Sequence, residues 1–440
     1  MRTPESTGGN EYEEQIPPQV VIPATVGASP VSGWLDRTFA SLRNRDYRLF
    51  FTGQLISLVG TWMRMTAQGW LVYDLTGSKL LLGVVSGLSL LPLVLFSTIA
   101  GAVADRVSKR KLLIAAQTAM MLVSLTVAIL VYTDLVRVWH LMVGSALIGT
   151  AFAIDLPTRQ SYYIQLVGRK DLLNAIALNS AAFNAARIVG PAIAALLIAQ
   201  VGIAACYFAD SLSFIAVVAS LMLIQDRAPV SESALQSPIQ LLREGFRYVR
   251  ETRRVRILLT LLAWTGIFGW SYVALLPAYA QDILHLDATG YSALLSANGV
   301  GALSAALFVA SRGEDRNHRV FVFRGLWLFG SSIILFALMR NPILAGFFLG
   351  LAGGGMITYL STSNSLIQLT VPDRLRGRVM GVWGLVFGGS LPLGNFISGA
   401  VAEQLGVVFT MVAGSVVCLI FSIIVFLRLP PVSIPPPAAP

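Results

Sequence analysis

The sequence predicts an all-α membrane protein whose twelve transmembrane helices form two pseudo-symmetric bundles of six. The composition is the first reason: 55% of the 440 residues are hydrophobic and only 12% are charged, and the mean hydropathy is +0.71. A soluble domain is about 25% charged, so this chain lacks the polar surface of a cytosolic enzyme. Apolar stretches of about 20 residues, the length of a spanning helix, also recur along the chain. A polar stretch then divides these segments six and six.

The predicted spans, each placed within a few residues, are 48–73, 80–104, 111–132, 139–162, 173–199, 205–225, 256–281, 291–311, 320–339, 342–368, 378–402 and 407–428. They imply five regions, which are a cytoplasmic tail with an interfacial helix (1–46), a first six-helix bundle (47–225), a linker (226–255), a second six-helix bundle (256–428) and a Pro-rich cytoplasmic tail (429–440). The start of the chain shows no basic segment followed by an apolar one, so we expect no cleavable signal peptide.

The linker contains an amphipathic pattern. Leu242 and Phe246 share one helical face, whereas Arg243 and Arg247 lie on another. This arrangement predicts a helix that lies on the inner surface of the membrane.

Basic residues predict the orientation of the chain. One set of connections carries most of the arginines and lysines: Arg106, Lys109, Arg110, Lys111, Arg169, Lys170, Arg312, Arg316, Arg319, Arg374, Arg376 and Arg378. Cytoplasmic loops are enriched in these residues, so both termini are predicted to be cytoplasmic in a multi-pass protein of the cell membrane. The net charge of +10 then reflects contact with membrane lipid, and we expect no nucleic-acid partner.

The connection between spans 2 and 3 carries a recognisable motif. It reads Gly101-Ala-Val-Ala-Asp105-Arg106-Val-Ser108-Lys109-Arg110-Lys111 and resembles the signature loop of the major facilitator superfamily, G-x-L-x-D-R-x-G-R-K, with Ser108 in place of a glycine. In this loop Gly101 would allow close helix approach, and the basic run would anchor at anionic lipid. The two halves also resemble each other weakly, because a shift of 204 residues aligns 167–202 with 371–406.

Three further stretches resemble the branch of that superfamily that includes enterobactin exporters and macrolide-efflux proteins. They run from Gly60 to Gly77, from Asp155 to Gln160, and from Asn174 to Pro191. The pair Gly190-Pro191 resembles the span 5 motif of exporters, where it would give a local kink and close packing.

The resemblance implies a secondary transporter that works by alternating access. It would use the proton gradient to export an amphipathic small molecule, such as a drug or a siderophore, across the bacterial cytoplasmic membrane. An importer with the same fold is the alternative, and a membrane receptor or enzyme without transport is a remote one.

Charged residues within spans are costly and therefore mark candidate coupling or substrate sites. Four such residues are predicted, which are Arg64, Asp155, Arg187 and Asp210. Asp155 is either a carboxylate that binds and releases protons or a permanent partner of Arg187, Arg64 or Arg159, or it caps a helix broken at Pro157.

The other three charges carry different expectations. Arg64 could bind an anionic substrate or balance Asp155. A structural role is favoured for Arg187. Asp210 is expected to be wet or to cap a helix, with a coupling role as the lesser alternative.

No motif for an enzyme or a cofactor is present. The chain has no G-x-x-x-x-G-K-[ST] phosphate loop, and His140, His285 and His318 are isolated from one another. We therefore expect no cofactor, no metal and no catalytic residues. Glycines spaced four apart, at Gly346, Gly350 and Gly354 and again at Gly384 and Gly388, predict tight helix crossings.

Overall fold

The computed structural model describes residues 39–225, 238–311 and 318–428, and within these ranges the chain is helical, without a strand. A single 3-10 turn, Ala40–Arg43, precedes the first long helix. The helices are α1 (Arg45–Thr76), α2 (Lys79–Arg106), α3 (Lys109–Tyr132), α4 (Val138–Gly168), α5 (Lys170–Gln200), α6 (Ile203–Leu223), α7 (Pro238–Glu251), α8 (Arg253–Asp282), α9 (Ala288–Ser311), α10 (His318–Leu338), α11 (Pro342–Thr370), α12 (Asp373–Leu405) and α13 (Val407–Arg428).

Local chemistry explains where several helices begin and end. The side chain of Asn44 accepts hydrogen bonds from the backbone N–H groups of Asp46 and Tyr47, which caps the start of α1. Gly77 ends α1 with a φ of 60°, a left-handed conformation that glycine adopts without a steric penalty. Gly168 separates α4 from α5 with a φ of 70° and a ψ of 179°, an extended conformation of positive φ that is essentially restricted to glycine.

The twelve predicted spans are confirmed. In the described residues, eleven helices are long and apolar enough to cross a membrane. The twelfth is α1, which at 32 residues is long enough but carries polar side chains such as Arg64 and Gln68. The helix α8 is continuous from residue 253 to residue 282 except for a π-helical turn at Thr265–Gly269.

The two sets of six helices are built alike. In the first set α4 contacts α2 and α3, and α6 contacts α1 and α3. In the second set α11 contacts α9 and α10, and α13 contacts α8 and α10. The contacts between the two sets follow the same symmetry. The second helix of the first set, α2, packs on the fifth of the second set, α12, and the fifth of the first set, α5, packs on the second of the second set, α9. This correspondence is that of two repeats related by an axis along the membrane normal.

The two ends of the bundle differ in charge. The connections at one end carry most of the basic residues, and we call it the basic end; its described members include Lys109, Arg110, Lys170, Arg374 and Arg376. The other end, where α1 joins α2 and α11 begins, is called the distal end.

The linker helix α7 lies at the basic end and packs on α12. Glu244 forms an ion pair with Arg378, and a Cβ atom added to Gly245 would stand 2.6 Å from the carbonyl oxygen of Arg378. The predicted amphipathic helix is therefore present, but it contacts protein as well as any lipid surface. Of the interfacial helix predicted over residues 33–46, only residues 39–46 are described, and they form the 3-10 turn and the first residues of α1. Residues 1–38 and 429–440 lie outside the described residues.

Candidate transport site

A buried ion pair joins α1 to α6 near the middle of the first bundle. Arg64 Nε lies 3.0 Å from Asp210 Oδ2, and both side chains are buried. At 1.5 Å per residue, each group lies about 5 Å from the midpoint of its helix, on the distal side. The expectation that Asp210 is wet is wrong, because its side chain is fully shielded by α1 and α3.

Further polar side chains extend this pair across the bundle. Ser124 of α3 donates a hydrogen bond of 2.8 Å to Asp210. Arg64 donates one of 2.9 Å to Gln68, and Gln68 donates one of 3.0 Å to Ser145 of α4. The charges of Arg64 and Asp210 cancel, and each is also hydrogen-bonded, which is the condition under which charges persist at membrane depth.

A second buried ion pair lies on α4, where this helix contacts α3. Asp155 forms an ion pair with Arg159, one turn further along α4, and accepts a hydrogen bond of 2.7 Å from Gln117 of α3. Among the partners considered for Asp155, the structure selects Arg159. The helix runs through Pro157 without a break, so Asp155 does not cap a helix end there.

Arg187 does not join either pair and lies between the two bundles instead. Its guanidinium donates to Asn298 of α9 and lies 6.0 Å from the ring centre of Trp62. Asn298 in turn donates to Tyr272 at 3.1 Å and to the carbonyl oxygen of Leu349 at 3.0 Å. Sequence reasoning missed Asn298, although an asparagine within an apolar span is itself a signal of a buried polar contact.

At the distal end, two carboxylates of the second bundle hold the connection between α1 and α2. Asp282 accepts a hydrogen bond from the Tyr73 hydroxyl at 2.6 Å and pairs with Lys79 Nζ at 3.1 Å. Glu403 Oε2 accepts from the Lys79 N–H at 2.7 Å, the Leu80 N–H at 3.0 Å and the Ser78 hydroxyl at 3.2 Å. We call these contacts the distal latch; its residues are Tyr73, Ser78, Lys79, Leu80, Asp282 and Glu403.

Packing also closes the distal end. A Cβ atom added to Gly83 would stand 2.2 Å from the carbonyl oxygen of Asn395, and one added to Gly399 would stand 2.9 Å from that of Lys79. Toward the basic end of α12, a Cβ atom at Gly377 or Gly384 would meet no atom of the described residues within 4 Å. The helices of the two bundles therefore touch at the distal end, whereas these two positions of α12 face open space among the described residues.

The signature loop has a structural role that the sequence did not reveal. Arg110 donates to the carbonyl oxygens of Leu221 and Met222, at 2.5 and 2.9 Å. A cation placed on the last carbonyls of a helix satisfies them and favours the negative end of its dipole. Arg110 therefore ties the start of α3 to the end of α6.

The remaining residues of the signature loop have different roles in the structure. Ser108 caps α3 by accepting from the backbone of Lys111, so serine is well suited to this position. Lys109 is the first residue of α3. A Cβ atom at Gly101 would meet no atom of the described residues within 4 Å, so the close helix approach expected there is not seen among them. The side chains of Asp105 and Arg106 lie outside the described part of the chain.

The predicted glycine contacts form at some positions and not at others. A Cβ atom at Gly190 would stand 2.5 Å from the Cβ of Trp62, so the predicted close packing of the Gly190-Pro191 motif is confirmed against α1. Gly350 and Gly354 pack against α9, each with a backbone oxygen at 3.2 Å. Gly384 has no such neighbour among the described residues, where the expected tight crossing is therefore not found.

Comparison with known proteins gives consistent matches along the chain. A family described as transmembrane secretion effector matches residues 36–435. The staphyloferrin A transporter of Staphylococcus aureus is 24% identical over 377 residues, which cover 84% of this chain and 94% of that protein. A multidrug efflux pump, Tap, of Mycolicibacterium fortuitum is 26% identical and covers 86% and 94%. Macrolide efflux protein A of Streptococcus pyogenes is 24% identical and covers 81% and 89%.

Solved structures share the fold at low sequence identity. A bacterial homologue of the human lysosomal transporter Spinster, in an inward-facing and unoccupied conformation, superposes with a TM-score of 0.71 at 12% identity and covers 91% of this chain and 97% of that one. The nucleoside transporter NupG gives a TM-score of 0.72 at 14% identity and covers 88% and 100%.

Proposed function

Because the chain belongs to the transmembrane secretion effector family of the major facilitator superfamily, we propose that it exports an amphipathic small molecule in exchange for protons. The proposed location is the cytoplasmic membrane, with the basic end inside the cell, as the distribution of arginine and lysine favours. Relatives named for staphyloferrin A transport, multidrug efflux and macrolide efflux support a drug or a siderophore as the substrate class.

The observation that carries this proposal is the buried Arg64–Asp210 pair near the middle of the first bundle. A proton delivered to Asp210 would remove its charge and leave Arg64 without its partner. Arg64 also donates a hydrogen bond to Gln68, which is half-buried. Once Asp210 is neutral, the guanidinium of Arg64 would turn away from Asp210 and present its charge toward the centre of the protein. In this way the protonation state of one carboxylate would control the charge that a substrate meets.

The second pair is less suited to this role. Asp155 and Arg159 lie on the same helix, so their contact need not change when α3 and α4 move relative to each other. Arg64 and Asp210 lie on different helices, and their contact depends on how α1 and α6 are placed. We therefore assign coupling to Asp210 and a bracing role between α3 and α4 to Asp155.

The closed distal end, together with the open space beside Gly377 and Gly384 toward the basic end of α12, supports an inward-facing conformation. In alternating access the two bundles would rock about their contact, breaking the distal latch and closing the basic end. A substrate would then bind from the cytoplasm and leave at the distal side.

The test uses inside-out membrane vesicles with an established proton gradient and a pH-sensitive fluorescent dye. We expect addition of a macrolide, staphyloferrin A or a catecholate siderophore to release protons from vesicles that contain the protein. Asp210→Asn should abolish this substrate-evoked leak at unchanged expression, and Asp155→Asn should retain it.

The matched control is Asp134→Asn, an exposed carboxylate of the distal loop whose φ of 56° asparagine also adopts readily. A leak that survives Asp210→Asn and disappears in Asp155→Asn would transfer coupling to Asp155. Absence of a leak with all compounds, together with inward accumulation in intact cells, would replace export by import.

A further inference from the structure

A long apolar groove opens on the side of the second bundle. It lies in the gap between α9 and α10, with α11 behind it, and its volume is about 1250 Å³. The lining runs along α11 from Pro342 at the distal end to Thr358, which is about 24 Å at 1.5 Å per residue. This length exceeds the roughly 15 Å depth of one hydrocarbon leaflet.

Small residues create the groove. Gly346, Gly350 and Gly354 of α11 face it together with Ala297 and Gly301 of α9. Without side chains at these positions, the backbones of α9 and α11 come into contact and the space above them stays empty. Such a surface accommodates flexible hydrocarbon chains, which need no hydrogen bonds from the wall.

Among the described residues that line this apolar groove, one is charged. Arg324 of α10 is exposed and lies about 9 Å from the start of its helix at the basic end. In the part of the chain that the structure describes, no hydrogen bond or ion pair to Arg324 is found. A guanidinium that faces lipid without a partner is costly, and a phosphate oxygen offers it a bidentate acceptor.

We infer that this groove binds one anionic phospholipid from the leaflet at the basic end. The phosphate pairs with Arg324, and the acyl chains lie over Gly354, Gly350 and Gly346. The charge of Arg324 selects an anionic headgroup. The glycine surface formed by Gly346, Gly350 and Gly354 contacts acyl chains and therefore accepts any phospholipid. The site lies outside the bundle centre and does not depend on the substrate or the coupling mechanism proposed above.

The test measures binding of phosphatidylglycerol and phosphatidylcholine to the purified full-length protein by native mass spectrometry. We expect the unmodified protein to prefer phosphatidylglycerol, and Arg324→Gln to lower its affinity about fivefold while leaving phosphatidylcholine unchanged. The control Arg428→Gln removes an exposed arginine at the same end, outside the groove, and should keep the preference.

A second variant tests whether the glycine surface of α11 binds the acyl chains. A Cβ atom on Gly346 would meet only side-chain atoms, at 3.9 Å, so Gly346→Leu should fold normally and fill the groove. It should weaken binding of both lipids, with thermal unfolding unchanged. Equal binding of the two lipids by the unmodified protein, or phosphatidylglycerol binding that Arg324→Gln leaves unaltered, would overturn the inference.

Discussion

The distal latch predicts that Glu403→Gln will open the distal end. Glu403 belongs to the second bundle, and each of its described hydrogen bonds goes to the α1–α2 connection of the first. In the proposed rocking motion these contacts would break, so they would stabilise only the conformation seen here. Glutamine has nearly the same shape but carries no charge.

The size of the effect follows from the three contacts. A carboxylate at an exposed helix N-terminus contributes about 0.3 to 1 kcal/mol, and hydrogen bonds to charged groups contribute more than those to neutral ones. Because Glu403 is largely exposed to water, we take about 1 to 2 kcal/mol for the loss of its charge. This corresponds to a roughly 5- to 30-fold shift of the equilibrium toward the distally open conformation.

Electron–electron double resonance measures this shift directly. Spin labels on cysteines introduced at Leu135 and Ile343, which are 64% and 81% exposed, would report the separation of the two bundles at the distal end. The native Cys206 and Cys418 are buried and should not label.

We expect a longer-distance population to grow in Glu403→Gln. The control Asp287→Asn removes a distal carboxylate that caps α9 within its own bundle, through the N–H of Gly290, and should leave the distances unchanged. Identical distance distributions in Glu403→Gln and the unmodified protein would refute the latch.

Two further predictions concern packing and capping. Gly83→Ala should raise the distally open population in the same spin-label experiment, because its Cβ would collide with the carbonyl oxygen of Asn395; an unchanged distribution would contradict the close approach of α2 and α12. Arg110→Gln should lower the stability of the first bundle by about 1 to 2 kcal/mol, seen as an earlier thermal unfolding transition in detergent, whereas Lys111→Gln should have little effect. Equal transitions for both variants would show that Arg110 does not cap α6.

The helices could be predicted because a spanning helix is a local property. Its length is set by the membrane and its composition by the lipid, so hydropathy alone places each span within a few residues. Hydropathy places the break between α4 and α5 within residues 163–172, but it does not give the exact residue. The break depends on one glycine with a positive φ, whereas Pro157 and Pro191 leave their helices continuous.

The charged residues of the candidate site could be predicted from the sequence, but their partners could not. Arg64, Asp155, Arg187 and Asp210 stand out because charge is rare within spans. Their partners do not follow from the sequence, because pairing depends on how the helices rotate and which faces meet. Asp155 therefore pairs within its own helix, whereas Arg64 pairs with Asp210 on another helix.

The sequence by itself determined the number of helices, the division into two sets of six and the family, because each of these depends on composition and order along the chain. Only the tertiary structure decided which charges neutralise each other, which end of the bundle is closed and where the groove between α9 and α10 opens. These features arise from contacts between residues far apart in sequence, such as Glu403 with Lys79 and Arg187 with Asn298. A single sequence carries no direct record of such contacts.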